Sequence, residues 1–145
     1  MKIYLDVCCL CRPFDDQTMG RIRLEVTAVQ EIIRRCTTGE VTLVSSEAIT
    51  EEISKIPDIK KQVRVEKIAS VAQEYIFIDE GIIARMHEVM VMGGMAMDAL
   101  HIACAERAGA VFLTTDDDLI TFFKLHKNIQ VLIENPITWL KEGNR

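Results

Sequence analysis

Short apolar runs of strand length, alternating with stretches of helical periodicity, constrain this chain more than any other feature. Ile3-Tyr4-Leu5 and Val7-Cys8 flank Asp6 in one such run, which predicts a buried strand at the N-terminus. Val41–Val44, Tyr75–Ile78, Val111–Leu113 and Ile129–Ile133 supply the others. Between them, Ile22, Val26, Val29, Ile32, Ile33 and Cys36 recur at helical spacing, and Thr37-Thr38-Gly39 ends that helix. Ser45 or Ser46 caps a helix bearing Glu47, Glu51 and Glu52, and Pro57-Asp58 starts another with Val63, Ile68, Val71 and Ala72 on its apolar side. Asp79 caps a helix that Gly93-Gly94 stops; further helices follow around Asp98–Arg107, over Leu119–His126 and from Pro136. Continuous apolar strands alternating with helices indicate a parallel sheet covered on both faces. The expected fold is α/β, a three-layer α/β/α sandwich with a mainly parallel central sheet, in one domain spanning residues 1–145.

Composition closes off several classes of function. No charge-free run approaches the roughly 18 apolar residues of a membrane-spanning helix, and Asp6 falls where a secretory signal needs its apolar stretch. A soluble, cytoplasmic protein with no membrane partner is therefore expected. The net charge of −5, from 22 acidic and 17 basic residues, argues against nucleic-acid binding by bulk electrostatics alone. It leaves room for an enzyme that grips a phosphodiester through metal ions and a local basic patch. Five cysteines, three of them at Cys8, Cys9 and Cys11, do not form a paired disulfide framework or a spaced zinc site, and are expected to be reduced, inert thiols. His87, His101 and His126 lie on three different helices. There is no glycine-rich phosphate loop and no nucleophile elbow.

What remains is a set of carboxylates at strand ends, where open parallel sheets collect their functional groups. Asp6 ends the first strand; Asp116 follows the Val111 strand; Glu52 lies after the second strand and Asp98 on the helix before the Val111 strand. If the first strand and the Val111 strand are neighbours, all four converge at one edge. Like charges in such a cluster repel, and a hard cation such as Mg2+ or Mn2+, which prefers oxygen ligands, removes that cost. The fitting chemistry is metal-assisted phosphodiester hydrolysis. Duller roles compete: Asp98 and Asp116 as helix caps, and Glu52, like Glu47 and Glu51, as part of a solvated helix face. Met86, Met90, Met92, Met95 and Met97 read as core or dimer surface.

Four blocks in order resemble the PIN-domain family: Tyr4-Leu5-Asp6-Val7 through Arg12-Pro13-Phe14-Asp15-Asp16-Gln17, Val44-Ser45-Ser46-Glu47 through Glu51-Glu52-Ile53, Met97-Asp98-Ala99-Leu100-His101-Ile102-Ala103, and Leu113-Thr114-Thr115-Asp116-Asp117. The resemblance implies a Mg2+- or Mn2+-dependent endoribonuclease, VapC-like, acting on RNA, with a cognate antitoxin as partner and a homodimer as its assembly. It carries the catalytic acids onto Asp6, Glu52, Asp98 and Asp116. Asp6, Asp98 and Asp116 fall in the metal-ligand positions, and Glu52 is singled out because the family's helix acid directly precedes an aliphatic residue, here Ile53. Thr114 matches the family's Thr-x-Asp. Two positions depart from the pattern: Val7 stands where many members have Thr, and Cys11 where relatives carry Asn. Arg12, Arg21, Arg23, Lys60, Lys61 and Arg64 are candidates for phosphate contact. A catalytically silent PIN-fold interaction module is the main alternative. A phosphoacceptor receiver domain fits less well, because the acid run comes late and no Lys ends the Val111 strand.

Overall fold

A computed structural model describes residues 1–142. Its elements run β1 (Lys2–Leu5), α1 (Val7–Cys11), a 3-10 turn (Arg12–Phe14), α2 (Gly20–Thr37), β2 (Thr42–Ser46), α3 (Glu47–Ser54), α4 (Ile59–Ala69), β3 (Glu74–Ile76), α5 (Glu80–Val91), α6 (Ala96–Ala108), β4 (Val111–Leu113), α7 (Asp117–Leu125), β5 (Ile133–Glu134) and α8 (Pro136–Glu142). The strands form one sheet in the order β3-β2-β1-β4-β5. Every pairing is parallel. Ile3, Tyr4 and Leu5 of β1 stand opposite Val111, Phe112 and Leu113 of β4. The chain thus reverses its direction of travel across the sheet between β1 and β4, and the crevice beyond their carboxyl ends is where such folds place ligands.

The core confirms the periodicity argument at most points. Val26, Val29, Ile32 and Cys36 of α2 are buried, as are Tyr4, Leu43, Val44 and Phe112 of the sheet. Caps also fall where the residues allow them. Ser46 Oγ accepts from Ile49 N at the start of α3, Asp58 from Lys60 N and Lys61 N at α4, and Asp79 from Ile82 N at α5. Helix α6 ends on Gly109, whose φ of 68° is the left-handed conformation that closes helices. No helix among the described residues is long and apolar enough to cross a membrane.

Four details differ from the sequence reading. Val7 and Cys8 do not extend the first strand; they open α1, because Asp6 Oδ1 accepts the Val7 N–H and starts a helix at that point. The last strand is only Ile133–Glu134 rather than Ile129–Ile133, though Ile129 and Val131 are still buried. The Tyr75–Ile78 run pairs only over Glu74–Ile76, and as an edge strand it leaves Tyr75 and Phe77 exposed, packed edge to face on each other. On α4 the buried residue is Val65, whereas Val63 is 48% exposed. The methionine stripe divides: Met86 and Met92 pack on the core, and Met95 faces outward.

A candidate metal centre

The crevice between β1 and β4 is built by backbone first. Asp6 N donates to Leu113 O at 2.9 Å, which locks the end of β1 to β4. Asp6 is then held by both oxygens: Oδ1 accepts from Val7 N at 2.8 Å and Oδ2 from Thr114 Oγ1 at 2.8 Å. The Thr114 hydroxyl also accepts from Asp116 N at 3.1 Å, so one side chain fixes the first acid and orients the last. Val7, the departure from the family's Thr, turns into the core. The hydroxyl that reaches Asp6 is that of Thr114.

Glu52 comes to the same place from α3. One donor atom each of Asp6, Glu52 and His101 lie within 4.8 Å of one another. His101 Nε2 stands 2.7 Å from Glu52 Oε1. The other two acids of α3 go elsewhere: Glu47 accepts the Ile78 N–H, and Glu51 faces Lys55 on the surface. His101 is a residue that sequence reasoning missed. It follows Asp98 by three positions, which on a helix puts both on one face, and that spacing was the available signal.

Asp98 and Asp116 stand outside this tight trio but within its field. Asp98 is half-buried, in the first turn of α6, where Met95 rather than Asp98 is the cap. Its carboxyl is pushed up to about 6, by burial first and then by the charges of Asp6 and Asp116. It takes no hydrogen bond or ion pair from any described residue. Burial likewise raises Asp6, against the opposing pull of His101 and the Thr114 hydroxyl. Asp116 does act as a cap: its Oδ1 accepts from Asp118 N and Leu119 N at the start of α7. It is exposed, at the rim of the crevice.

The donor set is therefore oxygen-rich and under-compensated. Desolvated carboxylates facing one another, one of them with no donor among the described residues, suit a hard divalent cation. The same electrostatics set a pH dependence. Asp98 binds its proton more tightly folded than unfolded, so the folded chain is favoured when that carboxyl is protonated. That advantage is lost as pH rises from about 4 to about 6. In EDTA, the melting temperature is expected to fall across this window, and Asp98→Asn is expected to flatten the slope. A scan of melting temperature against pH for both proteins checks it.

Five of the six basic candidates separate into two groups, and Arg23 is exposed on α2. Arg12 is committed to Glu25 (2.8 Å) and Asp15 (2.8 Å), and Arg21 to both oxygens of Asp117 and to Glu25. Carboxylates of the fold thus hold both guanidinium groups in place, and each keeps N–H donors to spare. Lys60, Lys61 and Arg64, on α4, instead line an open cleft of about 390 Å³ beside Phe14. Lys61 makes one long contact, 3.8 Å, to Asp15. A hollow of about 410 Å³ between Ile53, Ala69 and Tyr75 contains none of the four acids.

All five cysteines are free thiols. Cys9, Cys36 and Cys104 are buried, and burial raises each of them. Cys8 Sγ lies 3.5 Å from Thr114 Oγ1.

Comparison with known proteins agrees with this architecture. Among curated proteins none matches the chain. Among solved structures it is similar to FitAcB from Neisseria gonorrhoeae, with a TM-score of 0.61 and 18% identity over 94% of this chain and 98% of that one. It is also similar to VapBC2 from Rickettsia felis bound to a DNA fragment from their promoter, with a TM-score of 0.65 and 14% identity over 93% of this chain and 98% of that one. These likenesses carry the fold. The PIN domain family model matches residues 3–124, from the first strand through α7, and with it the chain belongs to the PIN domain family.

Proposed function

We propose that this chain is a Mg2+- or Mn2+-dependent endoribonuclease whose centre is formed by Asp6, Glu52, Asp98 and Asp116. The observation that carries the reading is Asp98: a half-buried carboxylate beside Asp6, raised to about 6 and given no donor by any described residue. Such a group is costly for the fold alone, and its cost is offset when a cation shares the space. A bound hard cation would activate a water and neutralise the charge that develops on the phosphodiester.

The chain's own residues divide the remaining work. Asp6, fixed at both oxygens by Val7 N and Thr114 Oγ1, is the rigid anchor of the donor set. Asp98 supplies an uncommitted carboxylate from α6. Glu52 adds oxygen from α3, and Asp116, with Oδ1 tied to α7, offers its other oxygen at the rim. Lys60, Lys61 and Arg64 would meet the RNA backbone along α4 and raise its local concentration near the acids.

The wider reading follows the family resemblance. It makes this a one-domain, cytoplasmic toxin of a toxin–antitoxin pair, working as a homodimer. The fold it shares with FitAcB and VapBC2 supports that placement.

The test is cleavage of a mixed RNA pool in Mn2+ and in EDTA. Cutting in Mn2+ that stops in EDTA is the expected result; cutting that persists in EDTA, or none in Mn2+, rejects the reading. The double variant Lys60→Ala, Arg64→Ala is expected to raise KM by about tenfold with kcat unchanged, because it removes phosphate contacts and leaves the acids in place.

A further inference from the structure

By residue type and distance, His101 looks like a ligand of the proposed cation, since it belongs to the same trio as Asp6 and Glu52. Its hydrogen bonds give it a different role. Nδ1 stands 2.6 Å from Tyr4 Oη, and Nε2 stands 2.7 Å from Glu52 Oε1. Both ring nitrogens are therefore occupied. An ionised carboxylate only accepts, so Nε2 carries a proton pointed at Glu52 and has no lone pair for an ion. The ring cannot swing out of this arrangement cheaply: it is buried and packed edge-on against Tyr4 and Phe112.

The contacts continue into the core. Tyr4 Oη is also 2.7 Å from Ser46 Oγ, and Ser46 Oγ accepts the Ile49 N–H that begins α3. Ser46, Tyr4 and His101 thus link β2, β1 and α6 to Glu52 on α3 by side-chain hydrogen bonds. Asp98 lies on α6 as well, so the helix that presents one acid of the centre also fixes another.

We propose that His101 is a positioning residue: it holds Glu52 toward Asp6 and, with both nitrogens committed, keeps the centre all-oxygen, which makes it selective for hard cations over nitrogen-seeking ones. This inference rests on the reading of the acids as a cation site.

The test uses Mn2+ as the probe on the whole protein. Pulsed electron paramagnetic resonance of the Mn2+-loaded wild type is expected to show no coupling from a directly bonded 14N. By calorimetry, His101→Leu is expected to weaken Mn2+ binding by about 10- to 100-fold. His101→Gln, which returns an N–H donor to the position facing Glu52, is expected to recover most of that loss. Strong 14N coupling, or equal losses in the Leu and Gln variants, would overturn the inference and leave the nuclease reading intact. If His101→Leu does not fold, the wild-type spectrum alone decides. Wild type that binds Mn2+ without nitrogen yet cuts no RNA would sink the nuclease reading and leave this inference standing. Folded wild type that binds no Mn2+ would end both.

Discussion

Asp6→Asn is expected to lower Mn2+-dependent RNA cleavage by about 1,000-fold or more while the metal-free protein becomes no less stable. The two halves of this result have one cause. Asp6 is buried, and burial raises its carboxyl above the usual range, so its charge is tolerated at a cost. Asparagine keeps the shape and an oxygen for the Val7 N–H, and its amide can donate to the Thr114 hydroxyl in place of accepting from it. It removes the charge that the cation would neutralise. Cation stabilisation of a phosphoryl transition state is worth several kcal/mol, and each ~1.4 kcal/mol is tenfold in rate. The melting temperature in EDTA at neutral pH is expected to rise, because a buried charge repelled by its neighbours has gone. A loss of both activity and stability would mean that Asp6 is a structural acid and the centre is misassigned.

Glu25→Ala is expected to cost about 3 kcal/mol of stability, a fall of roughly 10 °C in melting temperature for a chain of this size. Glu25 is fully buried in α2, a position that the apolar periodicity of that helix does not announce. It accepts from Arg12 Nε at 2.8 Å, Arg21 Nε at 3.2 Å and Asn135 Nδ2 at 2.8 Å. One carboxylate thus joins the 3-10 turn after α1, the first turn of α2 and the residue before α8. Truncation removes the fully buried acceptor that these three donors share, which is the costly way to break such a cluster. Glu25→Gln keeps one acceptor and is expected to cost less. By contrast, Asp79→Asn at the exposed Asp79–Arg107 pair is expected to change stability little. Chemical denaturation of the three variants checks the order.

Glu25 also marks where sequence reasoning reached its limit. Strand alternation made the parallel sheet legible, and the positions of Asp6 and Asp116 at strand ends pointed to the crevice. The convergence depended on β1 and β4 being neighbours, and their observed pairing supplies it. Pairings between distant residues left weaker traces. Arg12 and Arg21 looked like phosphate contacts because a guanidinium on a helix or turn shows its charge in the sequence and its partner does not. His101 was passed over for the same reason. Its importance lies in Tyr4, 97 residues away, and in Glu52, 49 residues away. Val7 and Cys8 were read with the first strand because they are apolar enough for one. What turns the chain there is the Asp6 carboxylate accepting the next N–H.

If this chain is a metal-dependent nuclease, Asp6, Glu52, Asp98 and Asp116 surround one hard-cation centre. Anomalous diffraction from crystals grown with Mn2+ is the test. One or two manganese peaks are expected in the crevice beyond β1 and β4, within bonding distance of Asp6 and Asp98 oxygens. Crystals with no peak there, or with manganese bound only at surface carboxylates such as Glu51, would contradict it.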